Sequence, residues 1–278
     1  MSSDTTTSPW FVIHETTRLT QIIKYMKHLA TLTDLVWLFI DNRSLRLNYA
    51  HCDHVCEAQL ELHSSTSAKC PANGQGTAQA IKVRTNELYG PIEDLQRQRK
   101  AVKLRIEDNT VCVTTAYKAN SRVAMIPGSP EARVVHHLNV TQFPYTWHVH
   151  VPRLEFGHWI MRQCVVAGHC ALPWTLELRI ADAQTVHMVF RGENQTGMRG
   201  ECTVHMSKKC APRTGPPCRV QYLVPVMRML RRIMDQGHGP TFDLYACTTG
   251  ILLRVRLKHG TVLLFLPNTQ DILVQRLV

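Results

Sequence analysis

The sequence predicts an α+β chain of two similar domains, each with a duplicated β-α-β-β unit whose helices line one surface backed by sheets. Three observations lead there. A short alternating strand, an amphipathic helix and two or more further strands occur in that order four times in 278 residues. The four helices begin near Thr17, Asn86, Pro152 and Pro225, which divides the chain into halves of about 130 residues. Polar loops rich in Pro or Gly, 64–80 and 207–218, fall at matching places in the two halves.

Each element has its own reason. In the first helix Leu19, Ile22, Ile23, Met26, Leu29 and Ala30 make one apolar stripe, with Thr20, Lys24, Lys27 and His28 opposite. Strands follow at 36–40, 45–50 and 55–62, with Asn42-Arg43 as a tight turn. After the first polar loop, 81–84 is a strand, Thr85 an N-cap, and Leu88, Ile92 and Leu95 the stripe of the second helix. Gly90-Pro91 weakens the first turn of that helix. Strands at 102–106 and 111–117 close the first half. Residues 118–144 carry Pro127, Gly128, Pro130 and Pro144 and read as a linker with one extended run at 134–140.

The second half repeats the scheme. Residues 147–151 form a strand, and Pro152 suits a first helical position because its missing N–H would bond nothing there. Phe156, Trp159, Ile160, Cys164 and Ala167 form the stripe of the third helix. Strands follow at 174–180, 185–190, 201–206 and 219–224, then the fourth helix, then strands at 242–247, 251–257 and 262–266. The domain division is thus a polar lead 1–9, a first domain 10–117, the linker 118–144, a second domain 145–267 and a tail 268–278.

The net charge is +11, which favours a polyanionic partner. The excess is concentrated in residues 140–278, where 16 Lys and Arg face 8 Asp and Glu, against 16 and 13 in residues 1–139. No apolar run reaches the roughly 20 residues that span a bilayer. Residues 1–9 lack the basic and apolar regions of a secretory signal, so the ten cysteines are expected as thiols in a reducing compartment.

The fourth helix is the clearest site. Val226, Met229, Leu230 and Ile233 face inward, and Arg228, Arg231 and Arg232 share the opposite face at i, i+3, i+4 spacing. Such a face suits phosphates. The first helix repeats it with Lys24 and Lys27. The third carries His158 and Arg162 beside Glu155; the second is mixed, with Glu93, Asp94 and Arg97, then Arg99 and Lys100 just beyond.

The segment His51-Cys52-Asp53-His54-Val55-Cys56 has metal-ligating residue types, but four candidates crowd into six positions. A Zn site wants two separated pairs, and no second pair completes this one, so no metal or other cofactor is expected. There is no nucleophile elbow, P-loop or dinucleotide fingerprint. The histidines at 136, 137, 148 and 150 read as strand or linker residues. No enzyme and no catalytic residue is expected.

With these residues in hand, the chain resembles, over about 10–267, the sliding clamps of the proliferating cell nuclear antigen type. The first helix with 36–40, Asp53-His54-Val55 with Gln59-Leu60, the run from Lys103 to Asp108, and Phe156 to Gly168 carry the resemblance. Within that family the Hus-type subunit of the heterotrimeric 9-1-1 checkpoint clamp is the most similar. Arg133 to Leu138, Val151 to Leu154, and Val262 to Pro267 look like its segments. The chain departs from that pattern by its polar lead and by the residues after Pro267.

The resemblance implies a DNA clamp fold and a three-subunit ring around duplex DNA, with helices lining the hole and sheets on the rim. It implies that Lys24, Lys27, Arg97, Arg99, Lys100, His158, Arg162, Arg228, Arg231 and Arg232 face DNA. It implies that His54, Met125, Ile126 and Pro267 bind partner peptides at the linker. Two other clamp-like subunits, a clamp loader, and repair and checkpoint proteins would be the partners, in the nucleus and at no membrane. The alternatives are a homotrimeric replicative clamp that confers polymerase processivity, and a basic interaction protein or metal-dependent enzyme built on 51–56.

Overall fold

A computed structural model describes residues 10–14, 16–29, 34–41, 44–50, 57–63, 79–116, 122–130, 138–145, 147–154, 156–158, 174–180, 185–192, 199–206, 218–222, 231–235, 237–247, 249–258 and 260–267. The chain divides into two compact units, one of 1–49 and 59–135, the other of 50–58 and 136–278. No helix among the described residues is long and apolar enough to cross a membrane.

The first unit runs β1 (Trp10–Ile13), α1 (Thr16–Leu29), β2 (Leu35–Ile40), β3 (Ser44–Ala50), β4 (Glu57–His63), β5 (Gln79–Arg84), α2 (Thr85–Arg97), β6 (Val102–Glu107), β7 (Thr110–Thr115) and β8 (Arg122–Pro127). Its strands make two sets of four, in the orders β5-β2-β3-β4 and β1-β6-β7-β8. Period-two alternation fills the core: Val36, Leu38 and Ile40 on β2, Ile81 and Val83 on β5, Val102, Leu104 and Ile106 on β6 are buried. Turn chemistry closes the hairpins. The Asp41 carboxylate accepts from the Ser44 N–H at 2.6 Å and its hydroxyl at 2.8 Å, which pins the β2–β3 connection. Asp108 and Asn109 both take positive φ, 45° and 60°, the backbone that a two-residue hairpin turn requires and that these residue types tolerate.

The second unit runs β9 (Trp147–Pro152), β10 (Trp174–Ile180), β11 (Thr185–Gly192), β12 (Arg199–Met206), β13 (Cys218–Tyr222), β14 (Thr241–Cys247), β15 (Gly250–Leu257) and β16 (Gly260–Pro267). Residues 153–154, 156–158 and 231–235 are helical. Here the orders are β13-β10-β11-β12 and β9-β14-β15-β16. They repeat the first unit strand for strand. In both units the strand that opens each quarter leaves its own three-strand meander and joins the meander of the other quarter. The tandem duplication legible in the sequence is therefore realised as a strand exchange. In the second unit the two sets join through β12 and β9, over the short register His205↔His150 and Met206↔Val149.

Three local expectations change, one of them at Pro152, which ends β9 opposite Thr241 instead of opening a helix. Thr85 is the first helical residue and buried, its N–H held by the Asp34 carbonyl at 2.7 Å; Arg84 stands at the cap without a side-chain bond. Thr85 therefore sits one residue inside the helix, its own N–H held by a tertiary contact, and is not the cap. Residues 122–127, read from sequence as part of the connecting segment, form β8, paired with β7. Its prolines and glycine lie at and beyond the strand end, so they terminate the strand rather than prevent it. The tight turn at Asn42-Arg43 and the segment 51–56 lie outside the described residues.

Candidate nucleic-acid interface

In the first unit α1 packs against α2. The apolar stripes expected from the sequence are the buried ones: Leu19, Ile22, Ile23 and Met26 on α1, Leu88, Ile92 and Leu95 on α2. That leaves the polar residues outside. Gln96 Nε2 donates to Thr20 Oγ1 at 3.2 Å, and Lys27 Nζ donates to Glu93 Oε1 at 2.6 Å. Arg97 reaches the same Glu93 oxygen at 3.3 Å. Glu93 thus bridges two cations from two helices, and hydrogen bonding to Lys27 holds its carboxyl below the ordinary glutamate range. The charge along α2 stays mixed, with Glu87 and Asp94 exposed, but Glu93 joins cations of both helices. Lys24 is exposed.

The end of α2 adds two more cations through its backbone. Lys100 N–H donates to the Leu95 carbonyl at 3.0 Å and Arg99 N–H to the Gln96 carbonyl at 2.9 Å. This is the paired bonding of a left-handed helix cap, a position glycine usually takes. Here Arg99 takes it, at φ 55°. Arg99 and Lys100 are both exposed, and Lys100 Nζ reaches Gln98 Oε1 at 2.6 Å.

The second unit places Arg231 and Arg232 on the helical turn 231–235, whose Ile233 and Met234 are buried. Arg231 pairs with Asp235 at 3.0 Å and is only 20% exposed, whereas Arg232 is exposed. The Arg231 guanidinium lies against Gly157, where a Cβ would collide with it. Gly157 thereby gives Arg231 room, and exposed His158 follows it. Arg153 closes this helix end, donating to the Met234 and Gly239 carbonyls, both at 2.9 Å. Arg162 and Arg228 lie outside the described residues.

The residues expected at a partner site fare unevenly. Met125 is 53% exposed on β8, and Pro267 is half-buried at the end of β16. Ile126 is 3% exposed and belongs to the core, because strand alternation sends it opposite to Met125. Its side chain is not offered to a partner. His54 lies outside the described residues. The connecting residues Leu138, Val140 and Phe143 pack with Phe265 against Tyr245, Leu252 and Leu263 in the second unit, so the chain before β9 is anchored on the β14–β16 face. Sequence reasoning missed Glu93 as a bridge, since its partner Lys27 lies on the other helix. It also missed the grouping of His148 and His150 with Asp243, for which the alternation His-x-His on β9 was the available signal.

No protein-family model and no curated protein sequence matches the chain. Among solved structures it is similar to the crystal structure of the PCNA2–PCNA3 complex from Sulfolobus tokodaii, with a TM-score of 0.58 and 10% identity. The match covers 94% of this chain and 99% of that one. The chain therefore has the sliding-clamp fold, as its element order implied. At that identity the likeness is one of fold, and most side chains differ.

Proposed function

We propose that this protein is a non-catalytic subunit of a ring-shaped DNA sliding clamp, and that its ring is the heterotrimeric 9-1-1 checkpoint clamp, in which it is the Hus-type subunit. The observation that carries the reading is the clamp fold over nearly the whole chain combined with the exposed cations of α1 and α2. Cations on helices and at helix ends meet phosphates without reading bases, which gives sequence-independent, salt-sensitive binding on which a ring can slide. Lys24, Lys27, Arg97, Arg99, Lys100, His158, Arg162, Arg228, Arg231 and Arg232 take that role. Among the described residues β8 and β13 end their strand sets; pairing with neighbouring subunits would cover such edges. The similar solved structure is itself a complex of two different clamp chains. A clamp loader, duplex DNA and repair and checkpoint proteins are the remaining partners, and the nucleus is the expected compartment.

The test is the mass of the purified protein by light scattering over a range of concentrations. A species at the 31.7 kDa of one chain, assembling only when two different clamp-like chains are added, supports the heterotrimeric reading. A stable species of three copies supports a replicative homotrimer instead.

A further inference from the structure

We propose that His148, His150 and Asp243 form a binding site for a transition-metal dication of the zinc type, built on β9 and β14 and independent of the DNA-facing helices. The backbone brings the three together. His148 and His150 are two apart on β9, so strand alternation puts both on the face opposite buried Trp147, Val149 and Val151. Antiparallel register sets Asp243 across from His150, and Tyr245 across from His148. His150 Nδ1 lies 2.8 Å and His148 Nε2 3.3 Å from the same oxygen, Asp243 Oδ1. All three ligand atoms fall within 4.8 Å of one another. Ligand bonds of about 2.0–2.1 Å in a tetrahedral zinc site separate the ligand atoms by roughly 3.3 Å, so small side-chain shifts suffice.

The surroundings are those of a prepared site. Asp243 is buried, its other oxygen held by Arg256 at 3.1 Å, the kind of outer contact that orients a ligating carboxylate. The His148 ring stacks on Tyr245, centroids 4.4 Å apart and planes 11° apart, and Tyr145 packs edge-on against Tyr245 at 5.0 Å. His150 is 43% exposed, which gives the ion a path and leaves a coordination position for water or a partner's side chain. Two imidazoles and one carboxylate oxygen suit zinc and its neighbours rather than calcium or magnesium. The positive charge of Arg256 opposes the ion, but its side chain is 62% exposed and water screens it. The competing arrangement is a closed hydrogen-bond network in which Asp243 Oδ1 simply accepts from both rings.

The experiment is a Co2+ titration of the full chain, purified with reductant and chelator and then freed of both, followed by displacement with Zn2+. The expected result is one ion per chain, visible ligand-field absorption without a thiolate-to-metal charge-transfer band, and recovery of the apo spectrum with Zn2+. His150→Ala, at a half-exposed position that the fold tolerates, should weaken binding at least tenfold, as loss of a direct ligand exceeds loss of its outer partner. A Cys52→Ser/Cys56→Ser double variant should bind as the parent does. Absence of uptake by the folded chain overturns the proposal and leaves the hydrogen-bond network. Uptake that shows a thiolate band and survives His150→Ala also overturns it and assigns the ion to the 51–56 segment.

Discussion

Arg99 offers a test in which two measurements must move in opposite directions. It occupies the left-handed cap position of α2 at φ 55°, with both cap hydrogen bonds formed. An L side chain there costs about 1–2 kcal/mol. Glycine removes that cost but adds about 0.5–1 kcal/mol of chain entropy to the unfolded state. Arg99→Gly should therefore stabilise the fold by about 0.5–1 kcal/mol in urea unfolding. Arg99→Ala keeps the strain and should leave stability nearly unchanged. Both variants remove one exposed cation. If Arg99 meets a phosphate, each should reduce the slope of log K against log salt by about 0.9. A fourfold rise in salt should then cost the variants roughly three- to fourfold less affinity than it costs the parent. The assay is fluorescence anisotropy of a labelled duplex across a salt series, with the assembled ring where partners are available. An unchanged salt slope in a folded Arg99→Gly protein would refute the placement of the α2 end against DNA. A strained cap with no electrostatic role would then stand without a functional reason.

Other perturbations follow from the same geometry. Glu93→Gln releases Lys27 and Arg97 from their shared carboxylate; DNA association should tighten and its salt slope steepen, while stability falls by no more than about 1 kcal/mol for a surface network. Because the Glu93 carboxyl is held below its ordinary range, its stabilisation is complete above the unfolded glutamate pKa and is lost as pH falls through the lowered folded pKa. The urea midpoints of parent and Glu93→Gln should therefore converge on acidification. Ile22→Ala empties a fully buried position where α1 packs, and thermal unfolding should register a loss of about 2–5 kcal/mol. Gly250→Ala puts a methyl into the Leu266 carbonyl and within 2.9 Å of Pro267 Cα; backbone cannot yield as a side chain does, so equilibrium unfolding should show a loss of about 1–3 kcal/mol or more.

The fold was legible because burial imposes period. Leu19, Ile22, Ile23 and Met26 on α1, and Trp147, Val149 and Val151 on β9, repeat at 3.6 and 2 residues and are buried as that spacing demands. What the period cannot carry is which strand lies beside which. The strand β1 precedes α1 in the chain but pairs with β6, Phe11 opposite Leu104. Nothing local to Trp10–Ile13 announces that partner. Thr85 was misplaced for a similar reason: its own N–H is held by the Asp34 carbonyl, about fifty residues earlier, a contact that nothing local to Thr85 announces.

The same distinction decides what could be read of the site. Lys24 is legible from one helix, because its exposure depends only on the stripe opposite it. The effective charge at Lys27 is not, because it depends on Glu93, 66 residues away on α2. At His148 and His150 the i, i+2 alternation announces a shared face, but the group that gives the face its chemistry is Asp243, 93 residues further along. Reading one strand at a time makes two histidines look like filler; pairing β9 with β14 turns them into three converging ligand atoms. The strand exchange that builds each unit is what makes such distant pairings the rule in this chain. Single-element patterns therefore predict which residues are buried or exposed, while charge balance and ligand sets appear only once the exchanged strands are in register.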